Sequence, residues 1–177
     1  TIMIKILGIK IIDRIKEAGL TQGILSKYAG IITTRLGFHE LSTEQCSREA
    51  YILLHISGSA IETGRLFSEL KDLGGIDVRE MKFDDSKPFV NFTSEEGALR
   101  IIGIMVEKKE RETIVSIQKT LTSYGCVIRT RLGVNEEFLG EPAGLIIIEL
   151  LGDEIQMDLL EKDLQKIPKI ILRKMVF

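Results

Sequence analysis

The chain has 177 residues, a net charge of −2, 44% hydrophobic and 28% charged residues, the proportions of a globular protein of one or two domains. A near-neutral balance argues against nucleic acid as the main partner, because neutralising phosphates takes clustered Lys and Arg. No apolar run reaches the ~20 residues that span a bilayer, which argues against a membrane protein.

Residues 4–12 are a continuous aliphatic run, the mark of a strand apolar on both faces. Lys10 interrupts the run, Asp13 and Arg14 follow it, and no small-residue cleavage site is present, so it reads as a strand and not as a signal peptide. Asp13 is placed as a helix N-cap, and Ile15, Leu20, Ile24, Leu25 and Tyr28 form a helical stripe that Gly30 would end. A second strand over 31–36 leads into a polar loop over 37–49. A third strand covers 51–56. The second helix spans 59–73 with Ile61, Leu66, Leu70 and Leu73 inward, and a last strand covers 76–83. Residues 84–98 contain Pro88, Gly97 and several polar residues, which is linker chemistry, with Phe89, Val90 and Phe92 able to pin the segment to a surface.

The same succession then returns: a strand over 99–106 and a helix with Ile114, Ile117, Leu121 and Tyr124 that Gly125 would end. Next come a strand from 126 to 132, a polar loop over 133–143, a strand over 145–151, a helix over 153–166 and a strand over 170–177. The return is literal in places. Gln22, Leu25, Tyr28 and Thr34-Arg35-Leu36-Gly37 reappear without a gap as Gln118, Leu121, Tyr124 and Thr130-Arg131-Leu132-Gly133. The chain is therefore a duplicated domain, 1–83 and 99–177, with 84–98 between. The order βαββαβ, twice, is the split-βαβ plan: an α+β, ferredoxin-like fold with antiparallel sheets and both helices on one face. Ile52, Leu54 and Ile56 take the helix side, which leaves Tyr51, Leu53 and His55 on the other; Leu145, Ile147 and Glu149 fall there in the second unit. Such a face is too apolar to be left in water. Units or chains are expected to associate through it, sheet on sheet or in a shared sheet, and each unit of about 80 residues is small enough to need that support.

The pattern Tyr-Gly-x-x-Ile-x-x-Arg-x-Gly, running from Tyr124 to Gly133 and followed by an aliphatic strand, resembles the ACT-like regulators associated with iron-only hydrogenase systems. Ile102-Gly103-Ile104 ahead of it adds to the match, and Leu7-Gly8-Ile9 with Tyr28 to Gly37 repeats it more loosely. Those regulators are close in fold to the C-terminal domain of the nickel-responsive regulator. The resemblance implies a self-associating regulatory or ligand-sensing module without catalysis. Two features depart from relatives of that fold. The turns after the first strands, Asp13-Arg14 and Glu107-Lys108-Lys109-Glu110, lack the Gly of amino-acid-binding ACT domains, and His39, Cys46 and His55 do not have the nickel regulator's spacing.

Candidate site residues follow from the repeat and from its failures. Arg35 and Arg131 end edge strands and would suit anion clamps; the plainer role is edge protection by charge. Gly37 and Gly133 follow closely, as turns of positive φ or as places where a ligand approaches the backbone. His39, Cys46 and His55 could converge on a metal with Glu40 or Glu44, yet the second unit lacks the set and holds Glu149 where the first holds His55. There is no nucleophile elbow, P-loop, GxGxxG or HExxH, so neither an enzyme nor a cofactor is expected. Cys46 and Cys126 occupy unrelated positions, which suggests no disulfide and a reducing cytoplasm. The expected function is a non-enzymatic regulator that senses a small ligand or binds protein. The alternatives are a structural oligomerisation module and a transition-metal sensor.

Overall fold

The computed structural model describes residues 4–38, 48–84, 99–107 and 110–177. The chain divides into two compact units, Thr1–Lys82 and Phe83–Phe177. In the first, β1 (Ile4–Ile11), α1 (Arg14–Lys27), a 3-10 turn (Ala29–Ile31), β2 (Ile32–Phe38), β3 (Ala50–Ile56), α2 (Ala60–Lys71) and β4 (Ile76–Phe83) follow in order. The second repeats them as β5 (Arg100–Val106), α3 (Arg111–Ser123), β6 (Ile128–Phe138), β7 (Glu141–Leu150), α4 (Glu154–Gln165) and β8 (Ile170–Val176). The sheets run β2-β3-β1-β4 and β6-β7-β5-β8, so each βαββαβ unit has its first strand inside the sheet and its second at an edge. The fold is α+β and ferredoxin-like.

Interior position explains the aliphatic runs. Ile6 and Ile9 of β1 and Ile101, Ile102, Ile104 and Met105 of β5 are wholly buried, because a central strand has no face left to water. On the helix side, Leu7, Ile9, Leu54 and Ile56 pack with Leu25, Leu66 and Leu70. Ile102, Ile104, Ile148 and Leu150 pack with Ile117, Leu121, Leu160 and Leu164. The opposite face is buried too, as its composition implied: Leu53, His55, Leu145, Ile147 and Glu149 are all out of solvent. Side-chain caps set three of the helix starts. Asp13 accepts from the Ile15 amide at 3.1 Å. Ser59 and Glu62 form a reciprocal capping box. Asp153 accepts from the Ile155 amide at 2.8 Å. For α3 the N-cap, Glu110, makes no such bond.

Several expectations need correction. Gly30 and Gly125 do not cap helices in the left-handed region: α1 and α3 stop at Tyr28 and Tyr124, and the chain leaves through tight turns closed by Ile31 N to Tyr28 O and Val127 N to Tyr124 O, both 3.1 Å. The expected loop 133–143 is a hairpin. β6 and β7 run on to Phe138 and Glu141 around Leu139 (φ 54°) and Gly140 (φ 82°), a two-residue turn of the mirror-image kind that matches strand twist. Ile15, Leu20 and Ile61 are exposed, not inward, at 78%, 59% and 68%. The buried stripe of α1 is Glu17, Thr21 and Leu25, four residues apart. The loop 37–49 lies outside the described residues from 39 to 47.

Candidate functional site

Arg35 and Arg131 stand in the edge strands β2 and β6, both exposed. The Arg35 guanidinium donates to Gln22 Oε1 on α1, whereas Arg131 has no ion-pair partner among the described residues. Gly37 and Gly133 are strand residues rather than turns, and neither has positive φ. Each is the edge partner of an isoleucine on the helix side, Gly37 of Ile52 and Gly133 of Ile146. A Cβ at Gly133 would meet nothing within 4 Å.

That open space belongs to a cleft of about 380 Å³ inside the second unit. Its lining is Val106 at the end of β5, Ile114 in α3, Gly133, Val134 and Asn135 of β6, and Gly144, Leu145 and Ile146 of β7. The local sequence accounts for the opening. Gly144 lies opposite both Val106 and Asn135 in the sheet, and a Cβ there would also meet nothing within 4 Å. Two strand positions without side chains thus leave a hollow beneath the first turns of α3. The volume is at the lower end of the range of small-molecule sites. Of the sequence-predicted residues only Gly133 lines it. Gly144, Ile114 and Val106 were missed, because their convergence depends on a strand register that periodicity does not specify.

The first unit is built differently at the same places. Register and repeat put Ala50 where Gly144 stands and Ala18 where Ile114 stands. The chain entering β3 is drawn onto the start of α1, with Arg14 N donating to Arg48 O at 2.9 Å and Arg48 Nη1 lying 3.4 Å from Asp13 Oδ2.

The metal candidates do not assemble among the described residues. His39 and Cys46 lie outside them, as do Glu40 and Glu44. His55 is buried in β3, with Nδ1 2.7 Å from Thr33 Oγ1, and burial holds its pKa below the ordinary histidine value. Its counterpart Glu149 is buried as well and accepts from Thr130 Oγ1 at 2.6 Å. The repeat thus keeps one polar position facing a threonine and changes its chemistry. No group of three or more His, Cys, Asp or Glu side chains suited to a metal occurs among the described residues.

Two further constellations escaped the sequence. Tyr28 Oη and Lys27 Nζ both donate to Glu69 Oε1 at 2.6 Å, and Tyr124 Oη donates to Asp163 Oδ2 at 2.6 Å, so the repeated tyrosine clasps an acid on the second helix of its own unit. In the second unit a buried ionic cluster joins sheet to helix: Glu161 accepts from Arg100 Nη1 at 3.0 Å and from Lys174 Nζ at 2.9 Å. The first unit has Lys5 Nζ donating to Thr63 Oγ1 at 2.9 Å in the corresponding region.

No protein-family model and no curated protein matches the chain. Among solved structures, an uncharacterized protein from Thermotoga maritima is 23% identical at a TM-score of 0.41, aligned over 48% of this chain and 100% of its own. A crystal structure described as a glycine cleavage system transcriptional repressor is 11% identical at a TM-score of 0.39, over 99% of each chain. A mutant chlorite dismutase from Candidatus Nitrospira defluvii is 10% identical at 0.40, over 99% of this chain and 92% of its own. Regulator and enzyme stand side by side at these low scores, so none of the likenesses bears on function.

Proposed function

We propose that the protein is a non-enzymatic regulatory module, a tandem of ACT-like domains 1–83 and 99–177 joined by 84–98, that senses a small molecule. The observation that carries this is the coincidence of Gly133, singled out by the repeat, with an apolar cleft of ligand size. The sequence resemblance to ACT-like regulators of iron-only hydrogenase systems supports the regulatory role. Self-association through sheet faces or edges fits the apolar composition of the helix-free faces, and an exposed free thiol at Cys126 suits a reducing cytoplasm. Native mass spectrometry of the full chain tests the proposal. A small organic molecule carried through purification is the expected result. A bare chain that only oligomerises would favour the assembly module, and stoichiometric zinc or nickel lost on His55→Ala would favour the metal sensor.

A further inference from the structure

The chemistry of the lining narrows the ligand. Among the described residues eight line the cleft; seven of these are aliphatic or glycine, and none of them carries a charge. Asn135, on the edge strand β6, is the polar residue among the described lining. An ion seated on such walls would lose its hydration without a counter-charge. Arg131 shares the helix side with Gly133 but is absent from the lining. Gly133 and Gly144 would not clash if given side chains, so their absence leaves volume instead of relieving strain.

From these features we infer that the cleft of the second unit binds a compact, uncharged, mainly apolar molecule, of aliphatic or single-ring-system size, with one hydrogen-bonding group turned toward Asn135. The inference rests on the ligand-sensing reading above and adds the chemical class. It assigns no such site to the first unit, where alanine stands in place of Gly144 and of Ile114. The recognition is mainly by burial of apolar surface, so affinity follows the shape and size of the hollow more than any single bond.

Indole and isoamyl alcohol are suitable probes, with isovalerate as the charged comparison. Methyl-labelled protein is titrated with each at millimolar concentration, and the methyl resonances of Val106, Ile114 and Ile146 are followed. The expected result is saturable shifts with indole or isoamyl alcohol and at least a severalfold weaker response to isovalerate. Gly144→Val should weaken the uncharged probes by about tenfold or more, roughly the loss of two methylenes of contact. Valine suits a strand, and unchanged Ile6 and Ile9 methyls would show that the variant folds; Gly133→Val is the second variant, with the same expectation. Three outcomes overturn the inference: no shift with either uncharged probe, shifts that persist in both variants, or tighter binding of isovalerate that Arg131→Ala abolishes. The last would leave ligand sensing standing and refute only the chemical class. A cleft silent to all three probes in a protein whose native mass spectrum is also bare would remove both.

Discussion

At the residue scale the repeated tyrosines show how a motif can be structural in purpose. Tyr28 and Tyr124 sit at helix ends and bond to Glu69 and Asp163. The Lys27 ammonium and the Tyr28 hydroxyl hold Glu69 below the ordinary carboxylate pKa, and Lys166 with Tyr124 does the same for Asp163. A carboxylate depressed in the folded state contributes stability above its unfolded pKa and loses it as pH falls through the folded value. Tyr124→Phe should therefore lower the melting temperature at neutral pH, and the deficit should shrink through the acid carboxylate range. A deficit independent of pH would refute the role given to Asp163. His55 behaves in the related way for a base. Burial lowers its folded pKa, so the unfolded chain binds the extra proton, and stability falls as pH drops below the ordinary histidine value of about 6.5. Melting curves from pH 8 to 5 should show that loss, and His55→Leu should remove it. These partners were illegible in sequence. Glu69 and Asp163 occupy matching places in the repeat, but nothing in a helical stripe says which exposed acid a tyrosine will reach.

At the element scale, strands and helices were readable and their joints were not. Aliphatic runs identified β1, β3, β5 and β7 because burial leaves the strongest trace in composition. The β6–β7 hairpin was hidden because Glu136, Glu137 and Glu141 read as loop, although β6 alternates exposed and partly buried residues along its length. Its turn gives a sharp test. Leu139 holds φ 54°, where a branched side chain is strained, and Asn-Gly is the preferred pair for such a turn. Leu139→Asn should stabilise the protein and Gly140→Val should destabilise it, each by about 1 kcal/mol in chemical denaturation. Opposite signs would mean that the turn is not of this type. The ionic cluster ties β5 and β8 to α4. Glu161→Ala would take their shared acid from Arg100, which keeps Asp158, and from Lys174, and should cost about 2 kcal/mol or more, measured by the same method. A cost near that of an exposed ion pair would show that the cluster is hydrated. Arg100 sits at the boundary of an aliphatic run, where its charge gave no hint of being buried.

At the scale of the whole molecule, duplication is the governing fact, and it was legible from the start. Internal repetition implies two βαββαβ units, and the sheet orders β2-β3-β1-β4 and β6-β7-β5-β8 agree with it. The candidate site was only partly legible. Gly133 was singled out, but its role was read as a turn or a point of backbone approach, when it is one of two strand glycines that leave a hollow under a helix. The other, Gly144, comes into play only through its register with Val106 and Asn135. Repetition itself concealed the site, since the two units share Gly37 and Gly133 and differ at Ala50 and Gly144, Ala18 and Ile114. No helix among the described residues is long and apolar enough to cross a membrane. The central claim is that this duplicated fold carries a small molecule in one of its halves. Native mass spectra of the full chain and of Gly144→Val, recorded side by side, test it most directly. A small organic adduct on the wild-type protein that the variant lacks is the expected result; a bare wild-type chain, or an adduct that the variant retains, would refute the site.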